Sequence, residues 1–246
     1  MNVKKFQIKG IHCTYYPADN SIGTAVICHG FASSQQSSSA IAFKQALHDI
    51  GLSVITFDFY GHGKSKGDFK QLTMSKCIDN TNDVINYIKH SFSVNKIVLL
   101  GYSYGGLIAT VVAATRRDIS ALLLINPLSD YQEKERLLGR DSILSEWANT
   151  GTRSYTINEK QLMLAYDFFT DSQKYSSYTS LPDVKADVLL IHSEKDEMVP
   201  LYQSTKLSKL SGINLIILPN GDHRLRTIGS HQKVAELIRN FIKAHL

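Results

Sequence analysis

Ile97-Val98-Leu99-Leu100-Gly101-Tyr102-Ser103-Tyr104-Gly105-Gly106-Leu107-Ile108-Ala109 is the stretch from which the fold can be read. Residues 97–100 are aliphatic without a polar alternate, the pattern of a parallel strand buried on both faces. Residues 104–114 read as a helix. Between the two stands G-x-S-x-G, which in a strand–turn–helix context is the pattern of a nucleophilic serine on a sharp, strained turn. The flanking glycines let strand and helix backbones approach closely. Such a serine stands at the C-terminal edge of a sheet and at a helix N-terminus, where backbone N–H groups can stabilise a developing oxyanion.

Working outward, similar aliphatic runs recur at 25–28, 54–57, 121–125, 188–191 and 215–218, and residues 3–8 and 12–16 read as an opening hairpin around Gly10. Helical patterns fill the intervals at 38–50, 75–90, 202–210 and 231–244. The alternation predicts an α/β fold with a doubly wound, mostly parallel, eight-stranded sheet. The interval between the runs at 121–125 and 188–191 is far longer than a crossover requires. Within it, 131–140, 142–149 and 159–169 read as helices. Residues 1–128 and 181–246 are therefore expected to form the core, and 129–180 a small helical cap holding the lone Trp147.

The 246 residues suit one large domain, and a net charge of +5 without a basic tract gives no footprint for nucleic acid. Three cysteines with no CxxC suggest neither a disulfide framework nor a zinc site, and no HExxH or calcium loop occurs. No apolar run approaches the ~18 residues of a membrane span. A cytoplasmic protein without metal or cofactor follows, with no nucleic-acid partner and no integral membrane segment; a homodimer is left open. Gly63-Lys64-Ser65 imitates a P-loop, but Asp58 stands where that pattern needs its first glycine.

A serine hydroxyl needs a base, and on this fold the acid and the histidine follow the serine in that order. His223 lies in the turn Pro219-Asn220-Gly221-Asp222-His223, just past the last strand and at the same sheet edge as Ser103. The preceding strand leads into Ser193-Glu194-Lys195-Asp196-Glu197-Met198-Val199-Pro200. Asp196, three residues before Val199, is the preferred acid, with Glu194 and Glu197 as alternatives. Two amides are needed for an oxyanion: that of Tyr104, after the nucleophile, and that of Phe31 in His29-Gly30-Phe31-Ala32-Ser33. His29 either holds this loop or meets substrate. Trp147, Tyr166 and Phe169 either line an apolar pocket or fill the core of the cap.

His29-Gly30-Phe31, Asp58-Phe59-Tyr60-Gly61-His62-Gly63-Lys64-Ser65 and the serine turn together resemble the α/β-hydrolase superfamily, nearest its S33 peptidase and monoglyceride-lipase branch. Residues 57–73 are similar to small bacterial cinnamoyl and feruloyl esterases, although tyrosines flank Ser103 where those enzymes commonly carry histidine and glutamine. The resemblance implies a serine carboxylesterase working on a small or medium, or aromatic-acyl, ester through an acyl-enzyme. A thioester, a monoacylglycerol or a peptide N-terminus are alternatives within the same chemistry. A ligand-binding protein that merely keeps the fold is the alternative of another class.

Overall fold

The aliphatic runs form the middle of one sheet and, with residues 215–218, one of its edges. The computed structural model describes residues 2–92, 94–157 and 160–246. The eight strands of the main sheet are β1 (Lys4–Ile8), β2 (Ile11–Tyr16), β3 (Thr24–Cys28), β4 (Ser53–Phe57), β5 (Ile97–Tyr102), β6 (Ile119–Ile125), β9 (Asp187–Ser193) and β10 (Leu215–Leu218). Their order is β1-β2-β4-β3-β5-β6-β9-β10. β2 runs antiparallel to both β1 and β4, and all other neighbours are parallel.

Side-chain alternation along β5 shows how the sheet is covered. Val98 and Leu100 join a core with α1 (Ser38–His48) and α9 (Ser230–His245), through Phe43, Leu47, Val234 and Ile238. Ile97 and Leu99 join the opposite core with α2 (Met74–Ser91), α3 (Tyr104–Thr115) and α8 (Leu201–Ser211). The strands are unalternated in sequence because both faces are dry. The helices on the rims start at side-chain caps: Ser37 accepts the Ala40 N–H at 3.3 Å, and Thr73 that of Lys76 at 3.2 Å. Among the described residues, no helix is long and apolar enough to cross a membrane.

Residues 129–180 contain α4 (Tyr131–Leu137), α5 (Asp141–Thr150), α6 (Asp167–Ser172) and α7 (Ser177–Ser180), together with a hairpin of β7 (Thr152–Ile157) and β8 (Lys160–Ala165). The helix expected over 159–169 is therefore a strand followed by a short helix, and Glu159 lies outside the described residues. Lys, Gln, Leu, Met and Ala are all good helix formers, but pairing overrides that preference. Leu162 and Leu164 turn inward while Gln161 and Met163 face out, a period of two. Opposite them, Arg153 and Tyr155 alternate with exposed Ser154 and Thr156. The small insertion is thus mixed, not purely helical.

The glycines of the serine turn are required by contact. A Cβ on Gly105 would stand 2.2 Å from the Cys28 carbonyl oxygen, and one on Gly101 would stand 2.4 Å from that of Gly105. Both obstacles are backbone, so neither can swing aside. Gly105→Ala gains about 1 kcal/mol of helix propensity, whereas overpacking against a fixed backbone costs about 3 kcal/mol or more. We expect a net loss of at least about 2 kcal/mol in guanidinium unfolding; an unchanged midpoint would show that α3 can slide away from β3.

Candidate active site

Ser103 occupies the turn between β5 and α3 at φ +55° and ψ −123°, a left-handed conformation that costs a residue with a Cβ about 1–3 kcal/mol. The turn persists because its surroundings determine it: the Ser103 N–H donates to the Ile125 carbonyl at 3.1 Å, and the Ser103 carbonyl accepts from Gly106 and Leu128 at 2.8 and 2.9 Å.

Ser103 Oγ lies 2.9 Å from His223 Nε2, and His223 Nδ1 lies 2.6 Å from Asp196 Oδ2. The carboxylate accepts, so Nδ1 carries the proton and Nε2 presents its lone pair to the serine. The Asp196 side chain is fully buried. Its Oδ1 accepts the N–H groups of Met198 at 2.9 Å and Val199 at 2.7 Å. Its Oδ2 also lies 3.3 Å from Nε2 of the buried His192. That nitrogen donates to the Val199 carbonyl at 3.0 Å, so its proton is fixed on the side of the carboxylate. Burial alone would raise the Asp196 pKa, but the hydrogen bonds donated by His192 and His223 outweigh it and hold the group at about 2.

Of the three candidate acids, Asp196 meets the imidazole. Glu197 accepts the backbone N–H of His223 at 3.1 Å, and Glu194 accepts that of Asn220 at 2.8 Å. Asp222 binds Arg226 and shapes the loop.

Two residues of this frame escape sequence reading. The His223 carbonyl accepts from the Tyr102 hydroxyl at 2.7 Å and from Asn126 Nδ2 at 2.9 Å, while Asn126 Oδ1 accepts the Ser193 N–H at 2.7 Å. Asn126 is fully buried and ties the ends of β6 and β9 to the histidine loop. The available signal was an amide directly after five apolar residues, 121–125. Asn126→Ala leaves the buried Ser193 N–H without an acceptor, and we expect it to cost about 2–3 kcal/mol by denaturant titration.

The loop at 29–32 runs beside the serine: a Cβ on Gly30 would stand 3.6 Å from Ser103 Cβ. Among the described residues, the backbone N–H groups of Phe31 and Tyr104 have no hydrogen-bond acceptor. His29 is buried and uses both ring nitrogens within the protein, with Nδ1 on the Gly30 carbonyl at 2.8 Å and Nε2 accepting the Phe59 N–H at 3.1 Å. It holds the loop and offers substrate nothing, which removes it from the substrate-binding candidates.

The Phe31 ring sits among Tyr155 at 5.2 Å, Phe69 at 5.5 Å, Phe168 at 5.7 Å and Tyr104 at 5.8 Å between centroids. The other aromatics lie a layer further back. Buried Trp147 donates its Nε1–H to the Leu164 carbonyl at 3.1 Å and packs on Tyr166, Phe168 and Phe169. Trp147, Tyr166 and Phe169 therefore pack on one another inside the insertion, while Phe168 and Tyr155 face the serine loop. Phe168 on α6 lies against Phe31 and Tyr104, and Tyr155 on the hairpin lies against Phe31 from its own side.

This layout joins a hydroxyl, an oriented imidazole and a buried carboxylate beside two free amides, the parts required for nucleophilic acyl transfer. The sequence model for "Serine aminopeptidase, S33" matches residues 19–176, more than half of the chain. The chain belongs to this family of α/β hydrolases. Among curated relatives, the chain is 29% identical over 213 residues to YfhR of Escherichia coli O157:H7, an uncharacterized protein; the match covers 84% of this chain and 65% of YfhR. The chain thus spans about two thirds of that relative's length. It is 24% identical to the mitochondrial palmitoyl-protein thioesterase ABHD10 of Rattus norvegicus, covering 80% of this chain and 67% of that one. Its fold is that of Est1E from Butyrivibrio proteoclasticus, solved with ferulic acid bound, with a TM-score of 0.79 at 24% identity over 98% of both chains. The expected α/β-hydrolase fold and family are thereby established.

Proposed function

We propose that this hydrolase is a serine carboxylesterase that cleaves a small or medium carboxylic ester through an acyl-enzyme. The observation that carries this reading is the unbroken row from Ser103 Oγ through His223 to Asp196, at 2.9 and 2.6 Å. Ser103 is the nucleophile. His223 takes its proton through Nε2 and returns it to the leaving alcohol, and a water molecule then repeats the cycle on the acyl-enzyme. Asp196 fixes the imidazole tautomer and balances its transient charge. The N–H groups of Phe31 and Tyr104 receive the oxyanion.

The rings of Phe31, Phe69, Tyr155 and Phe168 favour an apolar or aromatic acyl group beside the serine, in keeping with the ferulic acid in Est1E. Residues 129–180 serve as the cap over that group. A thioester substrate is the second reading, favoured by the similarity to the palmitoyl-protein thioesterase; the same row of residues would serve it. The three free, buried cysteines fit a reducing compartment, and we place the protein in the cytoplasm.

The test is a hydrolysis panel of p-nitrophenyl acetate, butyrate and decanoate, methyl ferulate, a monoglyceride and an acyl-CoA, run beside labelling with a fluorophosphonate probe. The reading expects labelling at Ser103 and the highest kcat/KM on an oxygen ester. A preference for acyl-CoA would select the thioesterase reading. Absence of both labelling and turnover would select a ligand-binding role.

A further inference from the structure

The segment Asp58-Phe59-Tyr60-Gly61-His62-Gly63 has no part in the proton relay, yet it places a second buried imidazole against the serine loop. The Ala32 N–H donates to His62 Nε2 at 3.1 Å. An N–H only donates, so Nε2 is bare and Nδ1 holds the proton, directed at the Tyr60 carbonyl 2.9 Å away. His29 repeats the arrangement in the opposite sense: it sits on the serine loop and accepts the Phe59 N–H at Nε2, 3.1 Å away. Each loop thus lends an imidazole acceptor to a backbone amide of the other. The rings stand 5.1 Å apart, with Phe59 against His29 and Phe69 against His62.

The other nitrogen of His29 bears on the oxyanion donor directly. Its Nδ1–H meets the Gly30 carbonyl at 2.8 Å. That carbonyl and the Phe31 N–H are opposite ends of one planar trans peptide, so holding the oxygen aims the hydrogen the other way. His62 holds the next peptide through the Ala32 N–H. Ala32 has φ +49°, a left-handed conformation unfavourable for alanine, so this amide needs an acceptor to stay where it is.

We propose that His29 and His62 form a reciprocal clasp between the two loops, with His62 a positioning residue that fixes the 30–32 backbone so that the Phe31 N–H faces the oxyanion. The inference rests on the reading of Phe31 and Tyr104 as oxyanion donors. Burial, and then the neighbouring His29, push the His62 pKa down to about 3, while burial pushes His29 down as well. Both rings therefore keep their lone pairs at neutral pH.

His62→Phe keeps a ring and removes the acceptor, whereas His62→Gln can return an oxygen close to the Nε2 position. Transition-state stabilisation is what a misaimed oxyanion donor loses, so His62→Phe should lower kcat by about 10- to 100-fold and leave KM within about threefold. Affinity for a trifluoromethyl ketone inhibitor should fall in step with kcat. His62→Gln should restore kcat to within about fivefold of the wild type. A folded His62→Phe protein with unchanged kcat, or one altered in KM alone, would overturn the proposal; so would equal losses in the Phe and Gln variants. Nitrogen-15 NMR of histidine-labelled wild-type protein reads the tautomers without any variant, and a proton on Nε2 of His62 would also overturn it. Should Ser103 fail to label and turn over while the NMR shows bare Nε2 nitrogens, the esterase reading falls and the clasp stands as architecture.

Discussion

Ser103→Ala should lower kcat on p-nitrophenyl butyrate by roughly four to six orders of magnitude, with the melting temperature moving by no more than about 5 °C. The two expectations have separate causes. The hydroxyl is the one group placed 2.9 Å from His223 Nε2, so its loss removes the attacking atom. Its contribution to stability is a single hydrogen bond, worth about 1 kcal/mol net. Backbone strain is unaltered, because alanine keeps the Cβ at φ +55°. Ser103→Gly releases that strain and should be the more stable of the two inactive variants, by about 1 kcal/mol. Activity within tenfold of wild type in either variant would remove Ser103 from the mechanism.

Asp196→Asn should lower kcat by about four orders of magnitude with Ser103 still in place. The carboxylate accepts from Met198, Val199 and His223, with His192 Nε2 at 3.3 Å, whereas an amide has one oxygen and one NH2 group. If the oxygen stays on the two backbone amides, the NH2 faces His223 Nδ1. The imidazole then moves its proton to Nε2, the nitrogen that must accept from Ser103. Circular dichroism should report an intact fold, and full activity would show that Asp196 only supports the loop.

The pH dependence of stability runs in a set direction. The folded-state pKa of Asp196 lies below the ordinary 3.8, at about 2, so its stabilisation is complete above pH 4 and is lost as pH falls through about 2. The stability difference between wild type and Asp196→Asn should therefore shrink over that interval, and the carboxylate remains charged throughout the neutral range.

The central strands were legible because two-sided burial leaves unalternated aliphatic runs, as at residues 97–100 and 121–125. Ser103 was legible because its turn requires glycines at 101 and 105, where any Cβ would strike backbone. The hairpin at 152–165 was not. Its second strand is built of helix formers, and nothing local reveals that Leu162 and Leu164 will pair across from Tyr155 and Arg153. Asn126 and His62 carry no periodic signal either, since each acts on a backbone group distant in sequence, the His223 carbonyl in one case and the Ala32 amide in the other.

By itself, then, the sequence determined the doubly wound order of elements and singled out Ser103, His223 and a carboxylate within residues 194–197 as candidates, because these depend on local pattern and on which residues follow a strand. Tertiary structure alone decided which carboxylate of residues 194–197 meets the imidazole, which aromatics pack around Phe31, and how the loop at 29–32 is held. Those outcomes turn on direction, and an atom's direction is set by hydrogen bonds and packing between segments that chain order leaves far apart.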